Sequence, residues 1–297
     1  MPDVKPSPTI LIGIGAQKAG TSWLFEYLQS HPQCYLRAVK ELHYFNQWQR
    51  NGLGGVRRAS IAKRQELIAK NGQVRSFLSR TVADLAEFIE LISEQERLSL
   101  SGHGAYLTYL RTGCADQKII GEVTPAYSMC SSEEFAEMLG LGTDVRFIYL
   151  LRDPVERVWS ASRMAAKTQN PTGIAMEVFA AAHFDQFLIG GNLPVMGRTD
   201  YQKTLRVVAE TIPSDRLLVL FYEELFRSET ARRITRFLEI DEMPARTQKI
   251  VHGGLKADLG HDRLCRARAM LDDQYQAVEK YMGRLPESWH KYPKEAA

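Results

Sequence analysis

The chain has no long apolar run. Its longest, Thr9 to Ala16, falls well short of the ~20 residues a membrane helix needs. The N-terminus, Met1-Pro2-Asp3-Val4-Lys5-Pro6, has no basic stretch followed by an apolar core, so no secretory signal is read there. Cysteine is scarce: Cys34, Cys114, Cys130 and Cys265 are scattered and form no CxxC pair. That spacing argues against a structural zinc site or a redox pair and points to free thiols. With no export signal, the expected compartment is the reducing cytoplasm. Internal repeats and low-complexity tracts are absent, which excludes collagen-like and coiled-coil rods. A composition of 44% apolar and 25% charged residues excludes disorder as the main state.

An excess of one charge is also missing. The net charge of +3 is too small to suggest a nucleic-acid partner. Its distribution is uneven, however. Residues 1–75 hold eleven Lys and Arg against four Asp and Glu, a balance of +7, so the rest of the chain is at −4. An anionic ligand is therefore expected on the N-terminal part.

The 297 residues read as one domain, 1–297. Thr9–Ile14 has the pattern of a buried strand, followed by a glycine-bearing turn and a helix from about Thr21 to Ser30 that stops before Pro32. Residues 47–76 are polar, basic and punctuated by glycine, which predicts a loop-rich insert ending in a helix. Val82–Glu94 has helical spacing. Lys118–Glu122, Asp144–Leu151 and Arg216–Phe221 read as strands, the second nearly all apolar, as in the middle of a parallel sheet. Asp153-Pro154 opens a helix, with Asp as N-cap and Pro at the first position. A long C-terminal helix is expected over about 258–282. Strands alternating with helices predict an α/β fold, a P-loop-like three-layer domain whose central parallel sheet is flanked by helices. Ligands in such sheets sit beyond the carboxyl ends of the strands.

Two segments carry distinctive chemistry at such ends. In Gly15-Ala16-Gln17-Lys18-Ala19-Gly20-Thr21-Ser22, the glycines permit a tight turn and the helix start offers free N–H groups to an anion. The lysine lies two residues before the second glycine, whereas a nucleoside triphosphatase places it directly after. Strand 144–151 is followed by Arg152, where a Walker B aspartate would hold magnesium. Both departures weigh against ATP hydrolysis. The second segment is Arg152-Asp153-Pro154-Val155-Glu156-Arg157-Val158-Trp159-Ser160. Ser160 lies ~9 Å along the helix axis from its first turn, so guanidinium and hydroxyl can grip one phosphate from two sides. Arg157 and Arg163 would add positive field.

The run Gln17 to Leu24 resembles the 5′-phosphosulfate loop of sulfotransferases that use 3′-phosphoadenosine 5′-phosphosulfate (PAPS). Arg152 with Ser160 eight residues later resembles the same family's 3′-phosphate motif. The resemblance implies that Lys18 is catalytic, touching the bridging oxygen and the sulfuryl group. It implies that Ala19, Gly20, Thr21 and Ser22 hold the 5′-phosphate, that Trp23 stacks on adenine, and that Arg152 and Ser160 bind the 3′-phosphate. Lys40-Glu41-Leu42-His43-Tyr44-Phe45 resembles the Lys-Glu-x-His-Phe-Phe segment of heparan sulfate-type carbohydrate sulfotransferases, where the glutamate is the general base. If the segment is extended, Glu41 and His43 share a face. A free carboxylate is a weak base at neutral pH, so Glu41 is expected to be tuned upward, whereas His43 starts nearer neutrality. Gly121 to Tyr127 resembles a further family segment, except that Val123 replaces its lysine. Glu122 is an alternative carboxylate.

The resemblance covers Ile10 to about Leu238. It implies a soluble bacterial-type sulfotransferase, transferring a sulfuryl group from PAPS to an acceptor hydroxyl on a sugar or glycolipid, with 3′-phosphoadenosine 5′-phosphate (PAP) as product. A sulfuryl group carries less charge than a phosphoryl group, so lysine and helix N–H donors suffice and no metal is expected. Two other readings stay open: a P-loop nucleotide-dependent kinase and a non-catalytic nucleotide-binding module. Acceptor identity and oligomeric state are not legible.

Overall fold

The structure is a computed structural model; it describes residues 7–70, 77–170, 173–245 and 259–292. In chain order its elements are β1 (Thr9–Gly15), α1 (Thr21–Gln29), β2 (Cys34–Leu36), α2 (Tyr44–Lys70), α3 (Phe77–Arg97), α4 (Gly104–Arg111), β3 (Ile119–Val123) and α5 (Ser132–Leu139). Then come β4 (Val145–Leu151), α6 (Pro154–Thr168), α7 (Met176–Leu188), α8 (Leu193–Gly197), α9 (Tyr201–Thr211), β5 (Leu217–Phe221), α10 (Ser228–Leu238), α11 (His261–Met270) and α12 (Asp272–Met282).

The five strands form one parallel sheet in the order β2-β3-β1-β4-β5. The sheet is flanked by helices, as the alternation of apolar strands and helices predicts. Every residue of β3 is buried, and so is all of β4 except Arg146, because covering helices leave a parallel sheet no wet face. From β1 the chain crosses towards β2; from β4 it crosses the other way, to β5. The order therefore reverses between β1 and β4, and a crevice opens beyond their carboxyl ends.

Two expectations need correction. Residues 47–76 are not a loop-rich insert: α2 runs from Tyr44 to Lys70, interrupted at Gly52, where φ is 59° and ψ −166°. The glycines at 52, 54 and 55 crowd into one turn. Beyond them Val56–Lys70 is made largely of good helix formers and packs along α3. Residues 71–76 lie outside the described residues. The C-terminal helix is two helices that meet at Leu271 (φ −98°, ψ 10°). Leu271 is buried, and the acids Asp272 and Asp273 start a fresh first turn, where negative charge is favoured. Strand β2 was not anticipated; three residues are too few to show a period.

Arg37, just after β2, fastens the helical layer to the sheet. It is 8% exposed and reaches Asp84 Oδ1 at 2.8 Å and Glu87 Oε2 at 2.5 Å, both on α3, and the Tyr109 carbonyl on α4 at 3.1 Å.

Gly121 sets the β1–β3 spacing. A Cβ there would fall 1.9 Å from the backbone oxygen of Leu11, and backbone cannot rotate away as a side chain can. Gly121→Ala should lower the free energy of unfolding by about 3 kcal/mol, the upper range for overpacking, seen as a lower urea midpoint. An unchanged midpoint would show that the strands have room to part.

Candidate active site

The loop after β1 is built for an anion. Gly20 is the N-cap of α1 in the left-handed region (φ 90°), and a Cβ there would meet Leu225 Cδ1 at 2.5 Å. Glycine meets both demands, of backbone and of space. No side chain caps α1, and its first turn has no acid. Its leading N–H groups, around Thr21 and Ser22, therefore keep their positive end available. Thr21 is buried and Ser22 half-buried.

Lys18, also left-handed at φ 72°, points its ammonium across to α6, where the Met164 sulfur lies at 3.6 Å. Burial first, then the cations Arg152, Lys40 and Arg163, push the Lys18 ammonium below its ordinary value, with Glu41 opposing. Three further cations thus bear on the Lys18 ammonium. Like charges gathered in this way mark a site for an anion.

Arg152 closes the cradle from β4. Its Nη1 donates to the Lys18 carbonyl at 3.0 Å, which joins the two strand ends directly. Its guanidinium lies over the Tyr222 ring at 4.6 Å, and Nη2 is 3.5 Å from Glu156 Oε2. Glu156 is shared: Lys291 Nζ donates to its Oε1 at 2.6 Å and the Tyr292 hydroxyl at 3.2 Å. Burial works upward on this carboxyl, but Lys291 and Arg152 outweigh it and hold it below its ordinary value. Glu156, Ser160 and Arg163 follow one another along α6 at spacings of four and three, the repeat of a single helix face, and Arg152, just before the helix, reaches Glu156. Ser160, half-buried, thus sits on the Arg152 side of α6. Arg157 does not: it is fully buried and donates to the Val195 carbonyl at 2.8 Å.

Asp153 is the expected cap. Its Oδ1 accepts from the Glu156 N–H and the Tyr275 hydroxyl, both at 2.9 Å. Burial pushes its carboxyl up to about 6. A capped, buried carboxyl is poorly suited to the metal-holding role that a triphosphatase requires. Among the described residues, no group of three or more His, Cys, Asp or Glu could hold a metal ion. Trp23 is 6% exposed, stacked on Tyr27 at 5.2 Å with Phe226 at its edge. One of its faces is therefore already taken.

The Glu41 segment is not extended. Glu41 and His43 both have positive φ, 63° and 60°. They still come to one side: His43 Nε2 is 3.7 Å from Glu41 Oε2, and Leu42 between them is buried. Lys40 Nζ donates to Glu41 Oε1 at 2.8 Å. Burial pulls the Glu41 carboxyl upward, but His43 and Lys40 more than reverse this and hold it down at about 2. The expected upward tuning is overturned, because the carboxylate is paired on both oxygens.

Beneath this loop lies Glu122, 2% exposed. Its Oε1 accepts from the Tyr106 and Tyr127 hydroxyls, each at 2.8 Å; its Oε2 accepts from Thr124 Oγ1 at 2.6 Å and the Leu42 N–H at 3.2 Å. A carboxylate so fully engaged is a support, not an alternative base. Val123 is fully buried and packs against Gly13. Two positions escaped the sequence reading. Lys63 and Tyr222 lie outside any recognisable spacing, since each reaches the site from an element distant in sequence.

A model of the Sulfotransferase family matches residues 8–244. A membrane-associated sulfotransferase of Dictyostelium discoideum is 28% identical over 146 residues, 49% of this chain and 21% of the relative. The chain thus spans only about a fifth of that relative's length. Among solved structures, a sulfotransferase from Alicyclobacillus acidocaldarius superposes with a TM-score of 0.61 at 18% identity, covering 96% of this chain and 100% of the other. At that identity the likeness is one of fold. None of the helices among the described residues is long and apolar enough to cross a membrane. With most of its length inside the family's match and the family's fold around its paired strand ends, the chain belongs to the sulfotransferase family.

Proposed function

We propose that the protein transfers a sulfuryl group from PAPS to an acceptor hydroxyl, on a sugar or glycolipid, without a metal ion. The observation that carries this reading is the junction of Lys18 and Arg152 at the ends of adjacent strands, with the Glu41 carboxylate close enough to act on the Lys18 charge. The donor set fits the nucleotide: an uncapped helix start and a lysine for the 5′ end, and an arginine with a helix hydroxyl for the 3′-phosphate. None of Cys34, Cys114, Cys130 and Cys265 forms a disulfide, and the compartment of this reading is the reducing cytoplasm. The sugar-type acceptor rests on the Lys40–Phe45 resemblance.

PAPS, when bound, supplies the sulfuryl group and its leaving phosphate. The acceptor oxygen forms a bond to sulfur while the bond from sulfur to the 5′-phosphate oxygen breaks. The acceptor proton passes to Glu41, and the electron pair of the broken bond leaves with PAP. Lys18 and the start of α1 neutralise the charge that builds on the leaving oxygen. A carboxylate held at about 2 is a poor proton acceptor. Lys40 bears on both Glu41 and Lys18. An anion in the cradle would draw Lys40 away from Glu41, and the carboxylate would regain basicity.

The test uses PAPS labelled in the sulfuryl group with a panel of glycosides and glycolipids, and mass spectrometry to find the labelled product. Lys18→Ala should lower kcat by about 10²-fold or more, the loss seen on removing one transition-state donor. Wild-type protein that transfers to none of the panel and forms no PAP, or an unimpaired Lys18→Ala, would sink the reading.

Arg152→Ala should weaken PAP binding by about 10²-fold, the scale of truncating a charged hydrogen-bonded partner, and leave the 3′-dephospho nucleotide nearly unaffected. Calorimetry with both ligands decides; equal losses would refute the 3′-phosphate role.

The Glu41 carboxylate, followed by carbon NMR, should stay ionised as the pH falls through 4.5, its ordinary value, and protonate near 2. Lys40→Met removes a cation that favours the charged form, so the midpoint should move up towards 4.5. A midpoint that ignores Lys40 would show that the pair does not control the carboxylate.

A further inference from the structure

Glu41 can serve an acceptor only if its loop keeps an unusual backbone path, with left-handed conformations at Glu41 and His43 on either side of buried Leu42. Single non-glycine residues in that region are strained unless their surroundings hold them. Two N–H groups are held by the β3 side: Glu41 N–H donates to the Val123 carbonyl at 3.2 Å and Leu42 N–H to Glu122 Oε2 at 3.2 Å. The carbonyls of the same turn are held from the opposite side by one residue. Lys63, about three-quarters along α2, donates from Nζ to the Lys40 carbonyl at 2.9 Å and the Glu41 carbonyl at 2.6 Å. A single ammonium with three donors can satisfy consecutive carbonyls in this way, and charge-assisted hydrogen bonds are the stronger kind. Burial presses the Lys63 ammonium downward, while the carboxylates of Glu41 and Glu122 support its charge.

We propose that Lys63 is a positioning residue for sulfuryl transfer: it fixes the Lys40–Glu41 turn from α2 and so sets the direction in which the Glu41 carboxylate meets the acceptor. The inference rests on Glu41 as the proton acceptor. It also assigns a role to α2. The helix carries the turn's carbonyl support. Val123 offers no ammonium from β3, and the cation that braces this side of the site comes instead from twenty-two residues beyond Glu41 along the chain.

The experiment is a double-mutant cycle of Lys63→Ala and Glu41→Gln in the full chain. The readout is PAP formation from PAPS with p-nitrophenyl β-D-glucopyranoside as the probe acceptor. PAP is counted whether the sulfuryl group passes to the sugar or to water. Lys63→Ala should lower kcat by about 10²-fold, the cost of a base misplaced by about an ångström, with KM for PAPS and calorimetric PAP affinity unchanged. In the Glu41→Gln background the further loss should shrink to less than about 3-fold, because the two act as a unit. Hydrogen exchange at the Glu41 and Leu42 amides should quicken more than tenfold in Lys63→Ala, without change in α1. Millimolar ethylammonium should restore part of the lost rate by refilling the ammonium position. If Lys63→Ala fails to fold, Lys63→Met keeps the aliphatic stem and takes the same tests. A damaging Glu41→Gln beside a silent Lys63→Ala overturns the role of Lys63 and leaves the base in place. Equal losses in both backgrounds overturn it too, since Lys63 would then act apart from Glu41. A silent Glu41→Gln removes the base itself, and the inference falls with it.

Discussion

The Glu122 carboxylate, buried at the end of β3, governs the side of the structure that carries the Glu41 loop. A charge so enclosed is tolerable only when hydrogen bonds replace its lost water. Glu122 takes them from four groups in three stretches of chain: the Leu42 amide, the Tyr106 hydroxyl of α4, and Thr124 with Tyr127 just after β3. The requirement runs both ways. The donors make the buried charge affordable, and the charge draws the Glu41 loop, α4 and the β3 exit to one point. Tyr127 extends the web by accepting the Phe45 N–H at 3.4 Å, at the start of α2. The path that exposes Glu41 is thus a consequence of satisfying a neighbour that never meets solvent.

The side that carries Lys18 and Arg152 obeys a different constraint. Its cations are placed by topology, not by a buried hub. Because the strand order reverses between β1 and β4, two loops leave the sheet side by side, and the Arg152 side chain reaches the backbone of the loop that carries Lys18. The Arg152 to Lys18 carbonyl bond at 3.0 Å is that contact. Repulsion among Lys18, Arg152, Lys40 and Arg163 is relieved in part by Glu156 and Glu41, each itself paired to a second cation, Lys291 and Lys40. Glu156 is held by two cations, Arg152 and Lys291, so in the proposed function an anion that takes Arg152 still leaves it Lys291.

What the sequence disclosed follows from how local each feature is. The turn after β1 and the entry into α6 after β4 were legible because strand end, turn and helix start are contiguous, and helix spacing alone puts Glu156 and Ser160 on one face. The Asp153 cap and Pro154 start were legible for the same reason. The pairing of Glu41 with His43 emerged, although through left-handed residues and not the extended backbone expected. The glycine cluster at 52–55 misled, since a break confined to one turn looks in sequence like a loop. The direction of the Glu41 shift was not legible: it depends on where the Lys40 and His43 side chains turn. Lys63 was hidden altogether, because its contacts arise only once α2 folds back over the loop.

The two halves meet at Lys40. Its ammonium binds the Glu41 carboxylate at 2.8 Å and adds to the positive field on Lys18, so it is answerable to both the base and the anion cradle. In the proposed reaction this joint loyalty imposes an order. While the cradle lacks an anion, Lys40 and His43 keep Glu41 weakly basic, and an acceptor hydroxyl or water beside it keeps its proton. An anionic donor in the cradle competes for Lys40, and each cation withdrawn from a carboxylate raises its affinity for a proton. The base then gains strength when the group to be transferred is in place. Backbone support from Lys63 and Glu122 does not depend on that exchange, so the carboxylate can change its partner without changing its position.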